Sequence, residues 1–139
     1  MELVIREYTD FDLEEVRKLY LSVGWTNYTD RPHPDEFLTE AFKHSLLTLG
    51  AFDKDKLVGF IRVVGDGVSV VFVQDLVVMP QYQRRGIGTK LMQSIMDHYS
   101  HVYQFDLMTD HTPKTRAFYT SLGLTDASEI GCTAFFSMR

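Results

Sequence analysis

Gln83-Arg84-Arg85-Gly86-Ile87-Gly88 is the stretch whose reading decides the fold. Before it runs an apolar segment, Val68 to Met79, which Pro80 ends. After it comes Thr89 to Tyr99, with Leu91, Met92, Ile95, Met96 and Tyr99 at helical spacing. The implied order is strand, glycine-rich turn, helix. A helix entered this way leaves its first backbone N–H groups unpaired and pointing at one spot, which attracts anions and phosphates above all. Gly86 and Gly88 let the backbone approach a pyrophosphate without Cβ clashes. Arg84 and Arg85 add positive charge, and the whole is a candidate clamp for a phosphate-bearing cofactor. Other phosphate loops fit poorly: there is no G-x-x-x-x-G-K-[ST], and no G-x-G-x-x-G after the first strand.

Outward from the motif, the chain alternates strand and helix signals. Leu3-Val4-Ile5 with Tyr8 reads as a first strand. Asp10 caps a helix carrying Leu13, Val16, Leu19, Tyr20 and Val23, which Gly24 ends. An aromatic loop from Trp25 follows, and Pro34 opens a second helix with Phe37, Leu38, Ala41 and Phe42 on one side. Leu46 to Phe52 and Leu57 to Val64 form a hairpin across Asp53-Lys54-Asp55-Lys56, and Asp66-Gly67 turns the chain into the next strand. Beyond the motif's helix come a strand at Val102 to Met108 and a helix opened by Thr112-Pro113 and stopped by Gly123. A last strand is expected at Thr133 to Met138. The order β-α-α-β-β-β-α-β-α-β, with hairpins as well as helical crossovers, predicts an α/β fold: one twisted mixed sheet with helices on both faces.

Composition narrows the partners. The 139 residues suit one domain, 1–139, and net charge is −5, which argues against a nucleic-acid or membrane-surface binder. No apolar run approaches a bilayer span, and the N-terminus lacks a signal peptide's layout. A single cysteine, Cys132, cannot form an internal disulfide, so a reducing, cytoplasmic setting is expected. The five histidines lack metal-ligand spacing. Residues 1–55 hold 12 Asp/Glu against 6 Lys/Arg, whereas residues 56–139 hold 7 against 8. An anionic cofactor on the C-terminal half and a cationic substrate facing the N-terminal half would suit this asymmetry, as would a solvated acidic surface.

The element order with Gln83-x-x-Gly86-x-Gly88 between the fourth strand and third helix resembles the GNAT superfamily of acyl-CoA-dependent N-acyltransferases. Leu76-Val77-Val78-Met79-Pro80 resembles the strand end before that family's cofactor loop, and Ala117-Phe118-Tyr119 with Leu122-Gly123-Leu124 resembles its last helix and exit. The resemblance covers essentially the whole chain. It implies acetyl-CoA as cofactor, with Gln83, Arg84, Arg85, Gly86, Ile87, Gly88 and Thr89 around the pyrophosphate. It implies that Leu76, Val77 and Val78 lie along the pantetheine where the sheet splays at a bulge, with the Val78 or Leu76 amide as oxyanion donor.

The resemblance further implies Tyr119 as the acid that protonates the departing thiolate, with Phe118 beside it. Thr112 or Thr115 stands where relatives place an asparagine against the pantetheine, and Gln74 where many carry a glutamate base. Asp75 is ionisable, but strand alternation turns it to the opposite face unless a bulge reorients it; structural hydrogen bonding is its other reading. Tyr20, Trp25, Tyr28 and Phe37 either wall a pocket for an apolar or aromatic amine or belong to the core, and Gln74, on the strand face toward the substrate, is expected to hold a water that relays the proton to a carboxylate.

The expected reaction is transfer of an acetyl group from acetyl-CoA to the primary amine of a small molecule. An acyl-CoA-sensing module and an acetyltransferase of protein amines are the alternatives. Pairing into a homodimer, frequent among relatives, is a further expectation.

Overall fold

In the computed structural model, which describes residues 1–139, the chain divides into two compact units, Met1–Met108 and Thr109–Arg139. The first is built on five strands in sequence order: β1 (Leu3–Glu7), β2 (Leu47–Asp53), β3 (Lys56–Gly65), β4 (Val70–Val78) and β5 (Gln104–Leu107). Neighbouring strands from β1 to β4 pair antiparallel, and β5 pairs parallel to β4. Helices α1 (Leu13–Ser22) and α2 (Pro34–Lys43) join β1 to β2, and α3 (Ile87–His98) is the crossover that a parallel β4–β5 pair requires. The expected mixed sheet is present.

Strand β3 is central: Leu57 through Val63 are all buried, as in a strand covered on both faces. Phe60 and Val77 pack with Val16, Leu19 and Tyr20 of α1 and Leu38 and Phe42 of α2. On the other side, Ile87, Leu91, Met92 and Ile95 are the buried stripe of α3. Each such apolar side chain contributes ~1.5–3 kcal/mol on burial, so these two layers carry most of the stability of the unit. Gly59 faces Val78 across the β3–β4 ladder, and a Cβ there would sit 2.8 Å from the Val77 carbonyl oxygen. Only glycine lets the two strands approach this closely.

Local chemistry sets the boundaries, with some differences from expectation. The cap of α1 is Asp12, not Asp10; its carboxylate accepts from the Glu14 N–H at 2.9 Å. The Tyr8 hydroxyl accepts from the Asp12 N–H at 2.8 Å, which carries the connection two residues further than the sequence pattern suggests. Asp66 accepts from the backbone N–H groups of Val68, Ser69 and Val70, closing the β3–β4 turn. The second unit holds α4 (Pro113–Ser121), capped by Thr112 as expected, and a 3-10 turn at Ala127–Ile130.

The strand expected at Thr133 to Met138 does not form. A strand requires a partner ladder, and none pairs with this segment; Phe135 is 94% and Phe136 66% exposed. The sheet ends at β5. No helix is long and apolar enough to cross a membrane.

Candidate active site

The glycine motif folds as a tight entry into α3. After a 3-10 turn at Pro80–Tyr82, Gln83 is extended, Arg84 takes a left-handed conformation (φ 64°) and Gly86 is the N-cap with φ 80°. The helix begins at Ile87, inside the motif and two residues earlier than its apolar period suggests. No side chain caps it. Lys90 is the first N–H to reach an intrahelical carbonyl, that of Gly86, so the amides of Ile87, Gly88 and Thr89 are open donors. A Cβ on Gly86 would find nothing within 4 Å, so glycine is required there for its positive φ rather than for close packing. This donor set suits a diphosphate, whose charge the helix N-terminus stabilises.

The loop is held from the side. The Tyr82 hydroxyl donates to Asp53 at the β2–β3 turn (2.8 Å), and that bond is the main reason the Asp53 carboxyl is held below its usual range. Arg85 lies over the Tyr82 ring, 5.3 Å from its centroid, so part of its positive charge is stacked beside the helix entry.

Strand β4 provides the second element. Its register against β3 pairs Val63 with Val73 and Arg62 with Asp75, which leaves Gln74 as an extra residue: a β-bulge. Arg62 and Val63 point to opposite faces, so Val73 and Asp75 do too, although two residues apart. The bulge therefore turns Asp75 onto the face covered by α1 and α2. Past the bulge, the Met79 N–H bonds the Val58 carbonyl at 2.9 Å, which makes Val77 and Asp75 the residues that exchange hydrogen bonds with β3. Leu76 and Val78 turn their backbone groups to the other edge.

That edge has no strand beside it, because the β5 ladder ends at Val73–Leu107. The Val78 carbonyl accepts from Gln83 Nε2 at 2.9 Å, which ties strand end to loop. The Leu76 N–H and C=O and the Val78 N–H are left as a short row able to pair with an extended amide-bearing molecule, as an added strand would. The Val77 side chain is buried in the α1/α2 layer, so of its groups neither backbone nor side chain faces this edge.

Beneath the bulge lies a buried polar network. Asp75, 2% exposed, accepts at Oδ2 from Arg62 Nε (2.8 Å) and from the Tyr20 hydroxyl (2.7 Å), and at Oδ1 from the Tyr28 hydroxyl (3.3 Å). Arg62, 5% exposed, also donates to Ser45 Oγ at 3.1 Å. No buried side-chain polar atom lacks a partner. Burial, and next the Asp75 charge, push the Tyr20 and Tyr28 phenols up, so both keep their protons. Burial alone would lower the Arg62 guanidinium; the Asp75 carboxylate together with the Tyr20 and Tyr28 phenols raises it above its ordinary value. With its carboxylate sealed and engaged by three donors, Asp75 has the surroundings of a structural hydrogen-bonder rather than of a catalytic base open to substrate.

The network places the expected substrate residues. Tyr20 is fully buried and does not wall an open pocket. Trp25, 40% exposed, stacks on it with ring centroids 6.2 Å apart. Tyr28 is half-buried, packed between Tyr20 and Phe37, and accepts a hydrogen bond from exposed Gln74 at 2.9 Å. Arg62 was not anticipated. Its signal was a lone charge inside the apolar run Leu57 to Val64, which demands a buried counter-charge.

In the second unit, the Thr112 hydroxyl accepts from the Thr115 N–H (3.2 Å) and donates to Thr115 Oγ1 (2.9 Å), so both threonines are engaged in the cap of α4. Phe118 packs edge-to-face on Tyr119, centroids 4.9 Å apart. The Tyr119 phenol is half-buried and raised above its ordinary value, chiefly by burial; it is protonated at neutral pH and able to act as a donor.

The chain is similar to known proteins over most of its length. The model of the acetyltransferase (GNAT) family matches residues 11–124. A solved GNAT-family acetyltransferase from Streptococcus pneumoniae TIGR4 is 42% identical, with a TM-score of 0.87 over 99% of this chain and 98% of that one. Among curated relatives, an uncharacterized ycf52-like N-acetyltransferase of Prochlorococcus marinus is 30% identical over 88% of this chain and 67% of its own length. Serotonin N-acetyltransferase 2, chloroplastic, of Oryza sativa subsp. japonica is 27% identical over 98% and 68%. The cofactor of this family is acetyl-CoA, and the α3 amides and β4 edge fit its diphosphate and its amide-bearing arm. The chain belongs to the GNAT family of acetyltransferases.

Proposed function

We propose that residues 1–139 act as one N-acetyltransferase domain that moves the acetyl group of acetyl-CoA onto the primary amine of a small molecule by direct attack on the thioester. The observation that carries this reading is the edge of β4: the bulge at Gln74 and the end of the β5 ladder leave Leu76 and Val78 with outward amide groups a few residues before the uncapped start of α3. The amides of Ile87, Gly88 and Thr89 hold the diphosphate, with Arg84 and Arg85 supplying charge. The Leu76 groups hold the arm, and the Val78 N–H donates to the oxygen that becomes negative as the amine attacks. A preorganised donor of this kind is worth about 10²–10³ in rate.

Bound acetyl-CoA supplies the activated acyl group and the thiolate leaving group. Tyr119 donates the proton that the thiolate requires, and the proton shed by the attacking nitrogen passes to water, from which the phenol is restored. Its phenol, kept neutral by burial, holds that proton at neutral pH. An apolar or aromatic amine suits Trp25, Tyr28 and Phe37, and the name of the Oryza sativa relative supports an aromatic amine as one member of the class.

Tyr119→Phe tests the assignment. The variant is expected to bind acetyl-CoA with unchanged affinity by calorimetry while kcat falls about 10²-fold or more, the range of a lost general acid. Unchanged kcat would remove Tyr119 from the mechanism.

A further inference from the structure

We propose that Gln74 receives the attacking amine of the acceptor, with its side-chain carbonyl held outward by a one-way chain of hydrogen bonds that runs from Arg62 through Asp75 and Tyr28. The proposal rests on the acetyltransferase reading above and adds to it the group that positions the acceptor.

The chain has one consistent direction. A carboxylate accepts and does not donate. Asp75 Oδ2 is taken by Arg62 and Tyr20, and Oδ1 takes the hydrogen of the Tyr28 hydroxyl. A phenol has one hydrogen, so the Tyr28 oxygen turns only lone pairs toward Gln74. Gln74 must answer with its NH₂ group, at 2.9 Å. With the amide nitrogen turned in, Oε1 is turned out. Gln74 is exposed, and it is the bulge residue, directly before the segment of β4 where the strand edge opens. Tyr28 is itself fixed by its packing on Tyr20 (5.0 Å between centroids) and Phe37 (5.9 Å).

An outward carbonyl accepts an N–H, so it orients an amine. It takes no proton and offers no net charge. The charged and titratable groups of this network are Asp75, Arg62, Tyr20 and Tyr28: the carboxylate is paired with the guanidinium, and both phenols are neutral. The acceptor class this geometry favours is a primary amine in its uncharged form, with an apolar or aromatic body against Tyr28. An ammonium would call for an unpaired carboxylate that the network does not present.

The test is steady-state acetyl transfer to benzylamine and to a less basic, ring-matched analogue, in wild type, Tyr28→Phe, Gln74→Met, the double variant and Gln74→Glu. Each single variant is expected to raise the amine KM about five-fold, as for loss of one neutral hydrogen bond, with the acetyl-CoA KM unchanged. The double variant is expected to lose no more than either single one, because both break the same chain. Gln74→Glu is expected to shift selectivity toward the more basic amine.

An amine KM unmoved in both single variants, additive losses in the double, or unchanged selectivity in Gln74→Glu would each overturn the proposal. A readout free of turnover separates it from the acetyltransferase reading. In cofactor-free protein the Gln74 side-chain ¹⁵N-amide signals should lie away from those of solvated glutamine and move to them in Tyr28→Phe. Signals unmoved by that substitution overturn the Gln74 proposal even if acetyl transfer stands. Absent turnover in wild type with every amine removes the acetyltransferase reading and this proposal with it.

Discussion

Arg62 and Asp75 face each other inside the α1/α2 layer, and their energetics follow from burial. A buried ion pair is costly to desolvate, and removing one partner strands the other. Arg62→Met should therefore destabilise the protein by about 3–5 kcal/mol in urea unfolding, whereas adding Asp75→Leu and Tyr20→Phe to it should recover most of that loss. A triple variant as unstable as the single one would contradict this account.

Asp66 sets a different dependence. Its carboxyl is held well below the usual range, first by the Ser69 hydroxyl and then by the backbone donors of the turn. A carboxyl lowered on folding stabilises fully above its unfolded value, about 4, and loses that contribution as the pH falls toward the folded one. The Tm difference between wild type and Asp66→Asn should therefore be largest near neutral pH and shrink below pH about 4 in thermal melts. A pH-independent difference would contradict it. At this scale the sequence was only partly readable. The helix starts at Pro34 and at the Thr112 cap carry their signal locally, while the choice of Asp12 over Asp10 depends on Tyr8, and the role of Arg62 depends on a residue thirteen positions away.

Among the elements, β4 has the most consequence. One extra residue at Gln74 changes which face Asp75 occupies, and the register fixes which amides of the strand remain for a ligand. The bulge sets Asp75 on the α1/α2 face, where Arg62, Tyr20 and Tyr28 take up its carboxylate, and the location of the bulge was not readable from a run of valines. Proline scanning separates the two edges. Val78→Pro deletes an N–H that makes no ladder bond, so the fold should hold while kcat falls about 10²–10³-fold through loss of the oxyanion donor. Val77→Pro deletes a ladder bond and should unfold the protein at lower denaturant. Equal activity of Val78→Pro and wild type would remove that amide from catalysis. Helix α3 was readable because glycine, arginine and an apolar period adjoin in sequence. The strand expected at Thr133 to Met138 was misread because β-propensity names a residue's preference and not its partner.

For the molecule as a whole, the order of strands and helices through β5 and α4 was readable because each element carries its own periodicity and its own stop signal. The polar network was not, since it joins α1, the loop after it, β3 and β4 across the fold. The charge asymmetry between the two halves places acidic residues ahead of the cofactor motif, yet the one buried carboxylate of the network lies in the C-terminal half, at Asp75.

The central claim is direct transfer from acetyl-CoA to an amine. Its most direct measurement is thiol release by the purified protein, with acetyl-CoA and a panel of small primary amines varied together and the acetylated product weighed by mass spectrometry. The account predicts one thiol per acetylated amine, no release without amine, and intersecting double-reciprocal lines. A burst of thiol before amine is added, parallel lines that mark an acetyl-enzyme, or no release with any amine would contradict it.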